Sequence, residues 1–398
     1  MREWLIDSYR ILENKSGAPK ALPPGYGDAE AEQAIRFHAQ IPGYAQAPLH
    51  SLPGLARALG VGGIYTKDES KRFSLNAFKG LGGSYAMFRI ICEKLGLDPR
   101  ETRLKDLTEG PYREQISRLI FVSCTDGNHG RGVSWAAGLF GCQAHIYMPF
   151  GTREARARAI REAGPARVEI TNLSYDDTVR KARELSETKG WILIQDTSWE
   201  GYETIPSWIV QGYLTLAAEA ARELDQRQIR PTHLFLQVGV GSMAGGLLAY
   251  FANHYRENKP LAVLVEPLVA DCLYQSVRAG ALRSVEGTPV TMMAGLNCGT
   301  PCTITWPILR DNAEFCVAGP DDMAALGMRS YGKGPEGDPP MISGESGAST
   351  LGAALKILED PAFTEVKKAM GLDESSRLLF INTEGDTDPE NYKSVVEG

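Results

Sequence analysis

HLFLQVGVGSMAGGLLAYFANHY (233–255) reads as three pieces in succession: a continuous apolar strand, a turn dense in glycine and alanine, and an apolar helix. A strand passing straight into a helix through glycines is the building step of a parallel α/β sheet. Successive backbone N–H groups in such a turn can cradle a phosphate at the helix N-terminus. No Asp, Glu, Lys or Arg occurs from Pro231 to Tyr255, a length that could span a bilayer. Gln237, Gly239, Gly241, Gly245 and Gly246 break its apolar character, so a membrane span is rejected. The turn also satisfies G-x-G-x-x-A through Gly239, Gly241 and Ala244. Glu266, closing the next apolar run, stands where a dinucleotide fold keeps the acid that binds a ribose. On this turn alone NAD is a fair reading, and a turn needed only for helix–strand packing is the structural alternative.

Outward from this stretch the same alternation repeats. LIFVSC (119–124), AHIYM (144–148), WILIQ (191–195), AVLVE (262–266) and LLFIN (378–382) are further apolar runs. Helix-length segments lie between most of them, at 129–140, 175–188, 208–227 and 242–256. Continuous apolar strands alternating with amphipathic helices predict an α/β fold with parallel sheets covered on both faces. At 398 residues two domains are expected. The most polar interruption, DPRETRLKDLTEGPYREQI (98–116), is a candidate for the handover between them. The first 50 residues, with Pro23, Pro24 and several glycines, read as an arm laid over the body.

Composition narrows the functional classes. With 43% hydrophobic and 23% charged residues the chain is a folded soluble protein. A net charge of -7 without a Lys/Arg run argues against nucleic-acid or membrane partners and leaves small molecules. MREWLIDSYRILENK at the start lacks the uninterrupted apolar stretch of a secretory signal, so a cytoplasmic location is expected. The seven cysteines (92, 124, 142, 272, 298, 302 and 316) are scattered and fit reduced thiols. Cys298 and Cys302 have no neighbouring Cys/His pair to complete a zinc site, and no metal is expected.

Two other segments choose between NAD and another phosphate-bearing cofactor. In NAFKGLGGSYAMF (76–88), Asn76 is a plausible N-cap and Lys79 opens a helix. The positive helix end and burial beside Phe78 would disfavour the ammonium form, making Lys79 an amine nucleophile near neutral pH. Taken singly, such a lysine is more often a solvated surface residue. SCTDGNHGRGVSWAAG (123–138) is a second strand, glycine turn and helix, able to hold the edge of a ring-shaped cofactor.

Together these three segments resemble the fold-type II pyridoxal-phosphate enzymes of the tryptophan synthase beta-like family: a Schiff-base lysine, an Asn-containing ring-contact loop and a glycine-rich phosphate cup. Within that family the chain resembles the diaminopropionate ammonia-lyases. NAFKGLGGSYA, TDGNHGRGV, QDTSWEGY (195–202), SGESGAS (343–349) and NTEGDTD (382–388) carry the likeness, in the family's order over most of the chain. The resemblance implies two α/β domains with pyridoxal 5'-phosphate in the cleft between them: a large cofactor-binding domain of residues 1–90 and 198–398 and a small domain of 91–197. By position it makes Lys79 the Schiff-base lysine beside Phe78 and sets Asn128 toward the cofactor's 3′ oxygen. It puts Gly239, Val240, Gly241, Ser242 and Met243 around the phosphate and Thr383 beside the pyridine nitrogen, an arrangement that favours elimination over transamination. It also implies a homodimer.

The departures from the wider dehydratase pattern are informative. Where many relatives have serine before Gly-Asn-His, this chain has Asp126, and Ala77-Phe78-Lys79 replaces Ser-Phe-Lys. Asp126 and Asp196 suit a cationic substrate. The resemblance therefore implies elimination of ammonia from 2,3-diaminopropionate, of either configuration, to pyruvate and two ammonia. Lys79 would serve one face of Cα and Asp126 the other, with Asp196 binding the amine or exchanging roles with Asp126. A serine or threonine dehydratase of the same fold is the alternative, and an NAD-dependent oxidoreductase a more distant one. Asp126 as an Asx turn and Asp196 as a helix N-cap are the purely structural alternatives. His129 is expected to hydrogen-bond within its turn, Glu345 to start a helix, and Trp199 and Tyr202 to fill core or line a pocket.

Overall fold

All six apolar runs are strands in the structure, a computed structural model that describes residues 1–14, 21–285, 287, 290–334 and 337–398. In chain order the strands are β1 (Arg2–Ile6), β2 (Tyr9–Glu13), β3 (Leu49–Ser51), β4 (Gly63–Asp68), β5 (Ile120–Cys124) and β6 (Gln143–Met148). They continue with β7 (Ala166–Ile170), β8 (Ile192–Leu193), β9 (His233–Gln237), β10 (Leu261–Pro267), β11 (Phe315–Gly319) and β12 (Arg377–Asn382). The chain divides into two compact units, one of residues 1–28, 46–71 and 216–398 and one of 29–45 and 72–215.

The first unit holds an eight-stranded sheet in the order β1-β2-β11-β10-β9-β12-β4-β3. Its centre, β11-β10-β9-β12-β4, is parallel throughout. Its outer pairs are antiparallel. Parallel strands are covered on both faces, which is why HLFLQ and LLFIN read as unbroken apolar runs. Phe235 on β9 stacks on Phe380 of β12 with centroids 5.2 Å apart. Each is fully buried, and such a side chain contributes about 1.5–3 kcal/mol. The opening residues correct the picture of an arm: β1 and β2 form a hairpin that extends the sheet at β11.

β4 escapes a hydropathy reading because GIYTKD is buried along its whole length yet ends in charges. Lys67 Nζ lies 2.5 Å from Glu219 Oε2 and 2.5 Å from the Ala47 carbonyl oxygen. Buried charge is tolerated where a counter-ion and hydrogen bonds replace water.

The second unit holds a four-stranded parallel sheet, β7-β6-β5-β8, and the polar 98–116 stretch lies inside it. Its helices Lys79–Leu95 and Asn128–Phe140 pack against each other. A Cβ at Gly132 would come within 3.0 Å of the Lys79 carbonyl and the Gly80 nitrogen. Glycine at 132 therefore lets one backbone rest directly on the other at the lysine. Among the described residues no helix is long and apolar enough to cross a membrane. The apolar stretch at 231–255 is the strand β9 followed by the helix Ser242–Tyr255.

Candidate active site

In the second unit the chain enters the lysine through a strained turn. Phe73, Ser74 and Asn76 have φ of 52°, 59° and 56°, a left-handed region that costs most residues free energy and that Asn tolerates best. Asn76 is thus a turn residue and does not cap the helix as expected: Phe78 holds the cap position and Lys79 is the first helical residue. Phe78 packs on Tyr213 with ring centroids 4.8 Å apart, and Lys79 Nζ lies 5.7 Å from the centre of the Phe78 ring.

Lys79 Nζ donates a hydrogen bond to the Asp196 carboxylate. This corrects the expectation of a lowered lysine. Burial does push the ammonium down, but the charge of Asp196, with Tyr213 and Asp126 behind it, raises it above the ordinary lysine value. Asp196 shows the converse: burial would raise it, yet His129 and Lys79 pull it down to about 2. His129 is buried and its Nε2 donates to the Ile194 carbonyl at 2.9 Å. A carbonyl only accepts, so the proton sits on Nε2, and Nδ1 faces Asp196 from 3.7 Å. Burial holds this imidazole below its usual value. Asp126 is only partly buried. Desolvation nevertheless raises its carboxyl against the pull of Arg156 and Lys79. Arg156 also reaches the Asp126 carbonyl oxygen at 3.2 Å. Asn128 opens its helix immediately after Gly127.

The backbone beside Asp196 is fixed by Tyr202 and Trp199, read from sequence as core or pocket lining, and by Gln195, to which sequence reasoning gave no role. Gln195 N donates to Tyr202 Oη at 2.8 Å, and that hydroxyl donates to the Leu193 carbonyl at 3.1 Å. Trp199 stacks on Tyr202 at 4.5 Å. Gln195 Oε1 accepts from Cys124 N at 3.0 Å and Ser123 Oγ at 3.1 Å. The strand carrying TDGNHG and the loop carrying Asp196 are thereby tied together. The QDTSWEGY spacing of tyrosine seven residues after glutamine was the available signal.

In the first unit the glycine turn follows β9. Gly241 occupies the cap position with φ 93° and brings no side chain of its own to the start of the helix Ser242–Tyr255. A Cβ at Gly239 would stand 3.1 Å from the Gly295 carbonyl oxygen and 3.2 Å from Leu296 Cα. Val240 lies in the turn, its carbonyl accepting from Cys302 N at 2.8 Å, and Ser242 and Met243 begin the helix. The buried Thr383 follows directly on β12, and its hydroxyl accepts from Gln237 Nε2 at 2.9 Å. Glu266 removes the main support for a dinucleotide. It is fully buried, its carboxyl raised by that burial, and both oxygens accept from Leu273 N and Tyr274 N at 2.8 and 2.7 Å. It caps a helix and offers nothing to a ribose. Glu345 opens the helix Glu345–Glu359 and accepts from Asn391 Nδ2. All seven cysteines are thiols, all but Cys298 buried.

An amine set against a carboxylate, a helix that starts directly after a glycine and a buried hydroxyl at a strand end are the groups a phosphorylated aldehyde requires. Residues 41–368 match the family model described as pyridoxal-phosphate dependent enzyme. The chain belongs to the pyridoxal-phosphate dependent enzymes. Over 400 aligned residues, covering 100% of this chain and 98% of the relative, it is 45% identical to a diaminopropionate ammonia-lyase of Salmonella typhimurium. Two solved Escherichia coli diaminopropionate ammonia-lyase structures are similar throughout. One, in complex with D-serine, has a TM-score of 0.92 at 42% identity, covering 98% of this chain and 96% of that one. The other, in complex with an aminoacrylate-PLP azomethine reaction intermediate, has a TM-score of 0.90 at 41% identity, covering 99% and 98%. Each unit by itself offers groups that suit the family's cofactor: in one the Lys79 amine suits an aldehyde, and in the other the helix at Ser242 suits a phosphate and the Thr383 hydroxyl a ring heteroatom.

Proposed function

We propose that the protein eliminates ammonia from 2,3-diaminopropionate, turning one substrate and one water into pyruvate and two ammonia, with both configurations accepted. The observation that carries this reading is the Lys79 amine bonded to Asp196, with Asp126 acting on the same charge. Two carboxylates around one amine suit a substrate that brings a side-chain ammonium; a hydroxy amino acid has no use for them. The relatives named for this reaction support it.

Bound pyridoxal phosphate supplies the electron sink that makes the Cα proton removable. Lys79 would hold it covalently, Gly239, Val240, Gly241, Ser242 and Met243 its phosphate, and Phe78, Asn128 and Thr383 its ring. With its amine free, Lys79 Nζ would take the Cα proton from one face. Asp126 takes it from the other. Their division of labour follows from their environments. Asp196, held at about 2, stays ionised, is a poor base and pairs with ammonium groups. Asp126, raised by desolvation, is the better proton acceptor. We further propose a cytoplasmic homodimer, the commonest soluble assembly; light scattering should return twice the chain mass of 43.4 kDa.

The test is a visible absorption spectrum of the purified protein before and after 2,3-diaminopropionate, with pyruvate followed in the same cuvette. A yellow band that shifts as pyruvate appears is expected. A yellow protein turning over only serine or threonine would replace this reading with a dehydratase. Asp126→Asn should keep the cofactor and lose about 10²–10⁴-fold in rate toward one isomer; equal loss toward both isomers defeats the assignment of one base per face.

A further inference from the structure

Gln237 closes β9 and Thr383 follows β12, the neighbouring parallel strand. Both side chains are buried, at 3% and 4% exposure. The Gln237 Nε2 donates to the Ile381 carbonyl oxygen at 2.9 Å and to Thr383 Oγ1 at 2.9 Å. The Ile381 carbonyl decides which way round the amide sits. A peptide oxygen has no hydrogen to give, so the atom facing it must be the amide nitrogen. That same nitrogen faces Thr383, so its second hydrogen goes to the threonine hydroxyl. Gln237 Oε1 is buried with no hydrogen-bond partner among the described residues. A buried carbonyl left unpaired is costly, and the arrangement tolerates it in order to present both N–H groups on one side.

A hydroxyl has one hydrogen and two lone pairs. With a lone pair of Thr383 engaged by Gln237, its single hydrogen points to whatever else it meets. We propose that Gln237 is a positioning residue that fixes Thr383 as a hydrogen-bond donor, so that a heteroaromatic nitrogen facing Thr383 is kept unprotonated. The inference rests on the proposed placement of Thr383 beside the cofactor's ring nitrogen and adds the residue that sets the direction of that bond. An unprotonated ring withdraws electrons less strongly, which favours prompt expulsion of a β-amine over side reactions of a long-lived anion.

The test uses the full-length protein loaded with pyridoxal phosphate labelled with nitrogen-15 in the ring, read by NMR. Wild type should resonate in the neutral, hydrogen-bonded pyridine range. Glutamate at 237 keeps the shape but has at most one hydrogen, which the Ile381 carbonyl claims, so the oxygen facing Thr383 becomes an acceptor. Gln237→Glu should therefore reverse the hydroxyl and move the resonance toward the pyridinium range. Gln237→Met, which only removes the donor, should move it in the same direction as Thr383→Val, and kcat should fall about tenfold with KM changing less than about threefold. If Thr383→Val moves the resonance while both Gln237 variants, fully loaded, keep the wild-type value, Gln237 is mere packing and the proposal is overturned. Should Thr383→Val itself leave the resonance in place, Thr383 does not face the nitrogen, and the placement beneath the inference fails instead. If Gln237→Glu does not load, Gln237→Met decides alone.

Discussion

Lys79 and Asp196 are 117 residues apart in the chain and share a hydrogen bond. Each was singled out from its motif, the lysine after Asn-Ala-Phe and the acid after Gln195, but their partnership is a tertiary fact that no spacing encodes. The missing contact also explains the error in the lysine's expected acidity: helix end and burial act locally, and burial, the largest single effect, is outweighed by Asp196 from a distant loop together with Tyr213 and Asp126. The pair yields a prediction for the cofactor-free protein. Asp196 is at about 2 in the fold, against about 3.9 when unfolded. A carboxyl lowered by folding adds stability that is present above the unfolded value and lost as pH falls through the folded one. Wild type should therefore lose, between roughly pH 4 and pH 2, about 2 kcal/mol that Asp196→Asn never had. Urea midpoints of the two proteins measured across that window should converge; a constant gap would mean the carboxylate gains nothing from Lys79 and His129.

Helix Lys79–Leu95 lies against helix Asn128–Phe140 with Gly132 over the lysine's own carbonyl. The glycines of TDGNHGRGV were read as a cofactor turn, and at least this one has a packing duty instead. A methyl group there meets backbone, which cannot rotate away. Gly132→Ala should cost about 1–3 kcal/mol, as overpacking does, and should lower turnover by shifting Lys79. A melting curve and an assay check the two effects, and a variant as stable and active as wild type would show that the helices can separate freely. Strands follow the same division between local and tertiary signal. β5, β6, β9, β10 and β12 were legible because burial on both faces writes a continuous apolar run. β4 was not, since Lys67 and Asp68 end it and Lys67 is paired with Glu219 of the helix Thr204–Gln226. β7 was missed because ARVEI at a sheet edge alternates in burial, and β1 and β2 because their charged hairpin only makes sense beside β11.

For the whole chain, the α/β class was readable, and each compact unit is built from segments far apart in sequence: residues 29–45 belong with 72–215, and 46–71 with 216–398. Hydropathy records burial but not which core does the burying. Cofactor binding offers a probe of the molecule at this scale. A ligand that binds only the folded state stabilises it by RT ln(1 + [L]/Kd), about 2.7 kcal/mol at a hundredfold excess over Kd. Adding pyridoxal phosphate to the stripped protein should raise its melting temperature progressively with concentration. In Lys79→Ala the covalent contribution is gone, so the same rise should need far more cofactor. Ser242→Trp, which crowds the helix N-terminus, should weaken the response while leaving Lys79 able to react. Inorganic phosphate separates the two contributions: it should stabilise wild type and Lys79→Ala equally and Ser242→Trp hardly at all. If instead it stabilises Ser242→Trp as much as wild type, the phosphate binds away from the glycine turn, and the roles given to Gly239 through Met243 fall.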